Sequence, residues 1–251
     1  IITAACFSIQ AVGVGIYIAY GVFFNPLMET FGWSRAAISG ASSAAFFVMG
    51  VFAILMGRMN DKVGPRFLMS LSAIFFGIGF CGVSLVNELW QLYLIFGLIF
   101  GIGGSSVDVI ALTTITRWFA SKRGKMTGIV KVGTGAGQFL FPILASFLIA
   151  GYGWENAFII IGLFGAAALL IIAQFLKRDP GEQDQSLPAQ NPDIPESQTH
   201  GLSFNQALKT HQLWLICAIN LLVVSCLLSI MIHIVPHARD IGITAHKAAG
   251  V

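Results

Sequence analysis

Seven long apolar runs, each about the length that a helix needs to cross a bilayer, push nearly all the polar residues of this chain into the links between them. The runs cover Ile1–Phe24, Ala36–Met56, Phe67–Val86, Leu89–Ile115, Met126–Ile149, Ala157–Leu176 and Leu213–Val235. They are continuously apolar instead of alternating, which predicts helices and not barrel strands. Of 251 residues, 56% are hydrophobic and 10% are charged, whereas a soluble domain carries about 25% charged residues. With a mean hydropathy of +0.82, most of the chain must have lipid as its solvent. The expected fold class is all-α, a polytopic transmembrane helical bundle. The first run lacks a basic leader and a small-residue cleavage site, so it is expected to span. Because the sequence opens inside one run and stops just after another, both ends are expected to be cut from a longer chain.

The links alternate in charge. The second run is followed by Arg58, Lys62 and Arg66, the fourth by Arg117, Lys122, Arg123 and Lys125, and the sixth by Lys177, Arg178 and Lys209. The other links carry Glu29 with Arg35, Glu88 and Glu155. Ten of the 14 Lys and Arg residues therefore share one side, which the positive-inside rule assigns to the cytoplasm, along with the N-terminus. The expected location is the cell inner (plasma) membrane. Trp33, Trp90 and Trp154 fall at the outer ends of runs and Trp118 and Trp214 at inner ends, where indole rings anchor in the headgroup zone.

The net charge of +3 is small and the basic residues form no single patch, so no nucleic-acid partner is expected. Cys6, Cys81, Cys217 and Cys226 all lie in apolar runs without a paired spacing. They read as small buried hydrophobes and not as metal ligands. Gly101-Ile102-Gly103-Gly104 lies inside a run with no strand before it, so it is no dinucleotide loop. No cofactor and no enzymatic activity are expected.

One stretch differs from the rest. Lys177 to His200 is polar and holds four of the eight prolines, the composition of a mobile linker. It leads to Ser203-Phe204-Asn205-Gln206, which fits a capping box before the seventh run. The domain plan is six helices over 1–176, a cytoplasmic linker over 177–210, and a seventh helix with its outer loop over 211–251.

The segment after the second run, Gly57-Arg58-Met59-Asn60-Asp61-Lys62-Val63-Gly64-Pro65-Arg66, carries the most specific pattern. Gly57 is expected to permit close helix approach, Gly64-Pro65 to force a tight turn, and Asp61 to bond backbone N–H groups near helix ends. With the six-plus-one layout, this segment resembles the signature loop of the major facilitator superfamily. The resemblance implies a fold built from two six-helix halves, of which this chain holds the first half and the first helix of the second. It also implies that Gly57, Asp61, Gly64 and Arg66 belong to a loop that latches the halves together on the cytoplasmic side. The glycine-rich fifth run, with Gly133, Gly135, Gly137 and then Pro142, is similar to the superfamily's fifth helix.

Three stretches narrow the resemblance: Phe31-Gly32-Trp33-Ser34-Arg35, Arg117-Trp118-Phe119 with Arg123-Gly124, and His233-Ile234-Val235-Pro236-His237-Ala238-Arg239-Asp240-Ile241-Gly242-Ile243. Together they look like bacterial members of the monocarboxylate transporter family, with the oxalate/formate exchanger group as a near relative. Two departures stand out. Gly97 occupies the place, four residues before Gly101, where many proton-linked drug exporters have an arginine. The first helix also lacks the lysine that animal monocarboxylate carriers place there.

Two strongly ionisable groups lie well inside the runs, Asp108 in the fourth and Lys131 in the fifth. A charge at the bilayer centre costs about 2.5–3.5 kcal/mol on insertion scales, so such a group must find a partner or a wet cavity. Counting from the cytoplasmic links, Asp108 lies about 13 Å deep and Lys131 about 10 Å deep, on consecutive antiparallel helices. The two are expected to meet, either to handle protons and an anion or as a packing device. Tyr17, Tyr20 and Asn25 on the first helix and Asn220, Ser225 and His233 on the seventh complete the polar candidates.

The expected function is secondary active transport by alternating access. The substrate is a small organic anion, a monocarboxylate first, with a proton as the candidate coupling ion and the C-terminal half of the same chain as the missing partner. The alternatives are a dicarboxylate or oxalate-type exchanger, a neutral-solute carrier, a non-transporting receptor on the same scaffold, or a complete seven-helix protein.

Overall fold

The computed structural model describes residues 1–178, Gln206 and 208–240, with the backbone alone for 227–240. The chain divides into two compact units, Ile1–Ala189 and Gln190–Val251. The described residues are helical with short turns and no strand. Most of the linker, Ser203–Asn205 of the expected capping box and the side chain of His233 lie outside the described residues.

The first unit opens with α1 (Ile2–Ala19), a short 3₁₀ stretch (Tyr20–Phe23) and α2 (Phe24–Phe31). Pro26 accounts for the tighter stretch: it offers no N–H to the carbonyl four residues back and its ring crowds it. The first membrane-length rod therefore runs Ile2–Phe31, beyond the expected Phe24. α3 (Arg35–Val63) begins at Ser34, whose side chain accepts from the Ala37 N–H at 3.2 Å.

α3 does not stop at Met56. It carries the signature segment as its last two turns, and the chain reverses at Gly64 alone, with φ 93° and ψ 159°. The polar residues there remain helix-competent, and only Gly64-Pro65 breaks the ladder; Pro65 then starts α4 (Pro65–Gly82). The expected tight turn is present, but the expected loop is mostly helix.

The fourth rod is α5 (Leu89–Leu92), a π-helical stretch (Tyr93–Phe100) and α6 (Gly101–Trp118). Glu88 and Gln91 form a capping box at its start. α7 (Arg123–Ala173) has 51 residues, far more than one crossing needs. It breaks at Gly153, with φ 82° and ψ 164°, into two arms, 123–152 and 154–173. Thus the five helices long and apolar enough to cross a membrane include one that supplies two rods, and the first unit holds the six expected. The link between the fifth and sixth is a single residue.

Aromatic rings fill the core of this unit. Tyr20 stacks on Phe96 at 3.9 Å and Phe23 on Phe158 at 3.9 Å, with Phe80 and Phe100 beside them. Such pairs stabilise by about 0.5–1.5 kcal/mol beyond the area they bury. Trp154 belongs to this core, 9% exposed and edge-on to Phe31 and Phe158, so it is a packed residue and not the interfacial anchor its sequence position suggests. Trp90 is exposed, as expected.

In the second unit, α8 (His211–Asp240) extends beyond the expected Leu213–Val235 at both ends. Its Trp214 indole donates to the Leu208 carbonyl at 2.9 Å. Cys6 is buried and Cys81 half-buried, while Cys217 and Cys226 are exposed on α8, unlike the buried thiols expected. All four are free.

Candidate functional site: a polar cluster between three spans

The site begins with the absence of side chains. Gly133 and Gly137 lie one turn apart on α7 and face the carbonyls of Phe7 and Ala11 on α1; a methyl at either glycine would overlap them. The two backbones can therefore approach as only small residues allow. Gln10 and Thr134 sit within the same turns, so the seam brings them together, and the Thr134 hydroxyl donates to Gln10 Oε1 at 2.8 Å. On another face of α1, Gly13 lies under the Val107 side chain. That contact sets the neighbouring Asp108 above Gln10, whose Nε2 donates to Asp108 Oδ1 at 2.7 Å.

Lys131 completes the cluster, with Nζ 2.5 Å from Asp108 Oδ1. The predicted meeting of the two charges is thus observed. Three helices contribute one connected chain, Lys131–Asp108–Gln10–Thr134. Gln10 is fully buried and uses both ends of its amide. Gln10 and Thr134 carry no charge, so the cost of a bare charge in lipid does not single them out. A glutamine in a span meets the same desolvation argument and could have been found that way.

The charged end of the cluster is open. The side chains of Lys131 and Asp108 are 43% and 57% exposed. Asp108 is the one residue of α6 on its exposed side; the rest of that helix is buried or half-buried. On α7, Val132, Phe139, Ile143 and Phe147 form an exposed apolar stripe. Lys131, Gly135, Gln138 and Pro142 form a different stripe, rotated by about 100°. The ion pair therefore lies away from the face whose composition suits lipid.

The tyrosines are placed otherwise. Tyr20 is 2% exposed and donates to the Ile38 carbonyl at 3.2 Å. Tyr17 is buried, with its hydroxyl 3.3 Å from Ser42 Oγ. Both hydroxyls tie the first rod to α3. Asn25 is exposed at the start of α2. Asn220 and Ser225 are exposed on α8 in the second unit. Gly97 is buried with its Cα side against Ala44 and Ala41 of α3, so no arginine side chain could occupy that place without moving α3.

The signature segment is tied to its own bundle. Arg117 at the end of α6 donates to Asp61 Oδ1 at 2.5 Å, and Arg178 donates to the Asp61 carbonyl. Asp61 thus pairs with a guanidinium, not with the backbone N–H groups expected, because α3 carries it past the helix starts to the end of α6. Asn60 Nδ2 donates to Thr113 Oγ1 at 3.0 Å, and Arg66 Nε donates to Gln174 Oε1 at 2.8 Å. Gly57 has Val109 at ordinary contact distance, with room for a methyl, so among the described residues no helix makes a close approach there. The links after the second, fourth and sixth rods therefore meet at one end of the unit.

The sequence profile described as the Major Facilitator Superfamily matches residues 4–251. Human monocarboxylate transporter 11 is 25% identical over 257 residues, covering 99% of this chain and 51% of that protein. The oxalate:formate antiporter of Oxalobacter formigenes is 27% identical over 231 residues, covering 92% of this chain and 53% of that protein. An MFS-type transporter of Ophiocordyceps sp. (strain BCC 1869) is 34% identical over 144 residues, 57% of this chain and 31% of that protein. The chain thus spans about half or less of the length of these curated relatives. Among solved structures, the inward open xylose transporter XylE from E. coli superposes with a TM-score of 0.60 at 17% identity, covering 71% of this chain and 48% of that one; this likeness concerns the fold.

Proposed function

Because this chain belongs to the major facilitator superfamily, we propose that it forms the N-terminal part of a secondary active carrier for small organic anions. In this reading 1–176 is one bundle, 177–210 a cytoplasmic linker and 211–251 the start of a second bundle that lies in the rest of the protein. The two bundles rock about a site near the midplane. The basic links face the cytoplasm of a plasma-membrane protein, and Asp61, Gly64 and Arg66 hold the cytoplasmic ends while the bundles move.

The observation that carries this reading is the half-exposed Lys131–Asp108 pair inside its spans, ten and eight residues from their basic ends. A charge pair at that depth is costly against hydrocarbon, so its open side belongs to a wet cavity. Oδ1 of Asp108 is occupied by Gln10 and Lys131. When Asp108 takes up a proton, its pull on the ammonium weakens, and Lys131 can offer its donors to a carboxylate in the cavity. Proton uptake and anion binding are then favoured together. Two relatives, a monocarboxylate transporter and an oxalate:formate antiporter, are named for carboxylate cargo, which supports a monocarboxylate as first substrate. One of those names is that of an antiporter, which favours anion exchange as the second reading.

Counterflow in proteoliposomes, with the whole protein and labelled carboxylates, tests the proposal. Monocarboxylate exchange that is enhanced by an imposed proton gradient is the expected result. Exchange indifferent to the gradient supports the second reading, and the absence of carboxylate exchange by a folded preparation removes the anion assignment.

A further inference from the structure

At the end of the first unit where the basic links meet, an open cavity of about 430 Å³ is lined by Val63, Arg66, Phe67, Ser70 and Gln174. Its floor is polar. Arg66 Nε donates to Gln174 Oε1, Gln174 Nε2 reaches Ser70 Oγ at 3.4 Å, and the Ser70 hydroxyl donates to the Arg66 carbonyl. The first of these bonds holds the guanidinium through Nε without neutralising it: among the described residues no carboxylate bonds Arg66. A guanidinium held through Nε alone has its Nη donors left for a phosphate.

The walls are apolar and lead away from that floor. Phe67, Ile74 and Ile78 are exposed on α4 at spacings of one helical face, and Phe175, Ile171 and Phe164 mark a second exposed stripe running back from the end of α7. Phe67 lines the cavity and Phe175 follows its lining residue Gln174, so each stripe leads from the cavity along the helix surface. In the proposed topology this end lies at headgroup level, where indoles collect; the Trp118 indole at the same end donates to the Lys177 carbonyl at 3.0 Å.

We propose that this cavity is a binding site for the phosphate of an anionic phospholipid, with Arg66 holding the phosphate and the two stripes seating the acyl chains. A phosphate whose headgroup carries no amine leaves the Arg66 charge fully engaged, so an anionic lipid is favoured over a zwitterionic one. The site is independent of what the carrier moves. Its occupant would brace α4 against the end of α7, beside the pairs that Asp61 makes.

The full-length protein in detergent, titrated with phosphatidylglycerol, phosphatidylcholine or soluble glycerol 3-phosphate, provides the test through its thermal midpoint and the lipid retained in native mass spectra. Phosphatidylglycerol should raise the midpoint and remain bound, with at least tenfold weaker apparent affinity in Arg66→Gln. Ser70→Leu, which fills the floor and keeps the charge, should lose the same effect and serves if Arg66→Gln does not fold. Equal protection by phosphatidylcholine, equal protection by glycerol 3-phosphate, or undiminished phosphatidylglycerol binding in both variants would overturn the proposal.

Discussion

Lys131 and Asp108, on the fifth and fourth membrane rods, are joined through Nζ and Oδ1 at 2.5 Å, and the same Oδ1 takes a hydrogen bond from Gln10 on the first. One oxygen atom thus connects three helices.

Exposure separates a working pair from a packing device. Pairs open to solvent contribute about 1 kcal/mol or less to stability, so Asp108→Asn and Lys131→Gln should each shift the thermal midpoint little. Counterflow should fall about tenfold or more in each, the scale of losing one charged contact of about 1.4 kcal/mol or more. The exchanged pair Asp108→Lys with Lys131→Asp should restore part of the activity; no recovery in a folded double variant would count against the pairing.

Gln10 should behave in the opposite way. It is fully buried with both amide ends bonded, and Gln10→Leu strands Thr134 while removing a donor from Asp108. A loss of about 1–3 kcal/mol in unfolding stability is expected. Thr134→Val should cost less, about 1 kcal/mol. Unfolding followed in detergent would read both.

The glycine seam predicts a contrast within one helix. Gly137 faces the Ala11 carbonyl, whereas nothing lies near the position of a Cβ at Gly135. Gly137→Ala should push α1 from α7 and destabilise the bundle by about 1–3 kcal/mol, in the range of overpacking, while Gly135→Ala should be neutral or slightly stabilising. Equal midpoints for the two variants would contradict the seam.

At Gly153 the backbone conformation itself is at stake. With φ 82° and ψ 164°, Gly153→Ala should cost on the order of 1–3 kcal/mol. Gly151→Ala, at a glycine inside the helix with open space around it, should not. Thermal melts of the two variants side by side provide the measurement.

Length and apolarity made the rods legible in the sequence, and the cost of a bare charge in lipid made the Asp108–Lys131 pair legible, because both arguments need only depth. What stayed hidden depends on rotation about the helix axis. Apolar spans carry little amphipathic signal, so nothing in the letters said that Tyr17 and Tyr20 turn their hydroxyls to α3, or that Gln10 turns to the ion pair. Trp154 and Glu155 suggested a link where a single residue suffices, because a glycine with positive φ reverses the chain at no cost in length. The signature segment reads as loop by its charges, yet its residues are helix-competent up to Gly64, and α3 runs through them to Val63.

The break at Gly153 has a consequence for how the protein is made. Because one residue joins the arms 123–152 and 154–173, almost no polar chain lies between them to be carried across the membrane. The two arms would enter the bilayer together, as a hairpin, and the fifth rod, with its charged Lys131, would wait for the sixth before its orientation is fixed. An error at Gly153 would then be felt at biosynthesis, as failed insertion and early degradation, before any substrate is met.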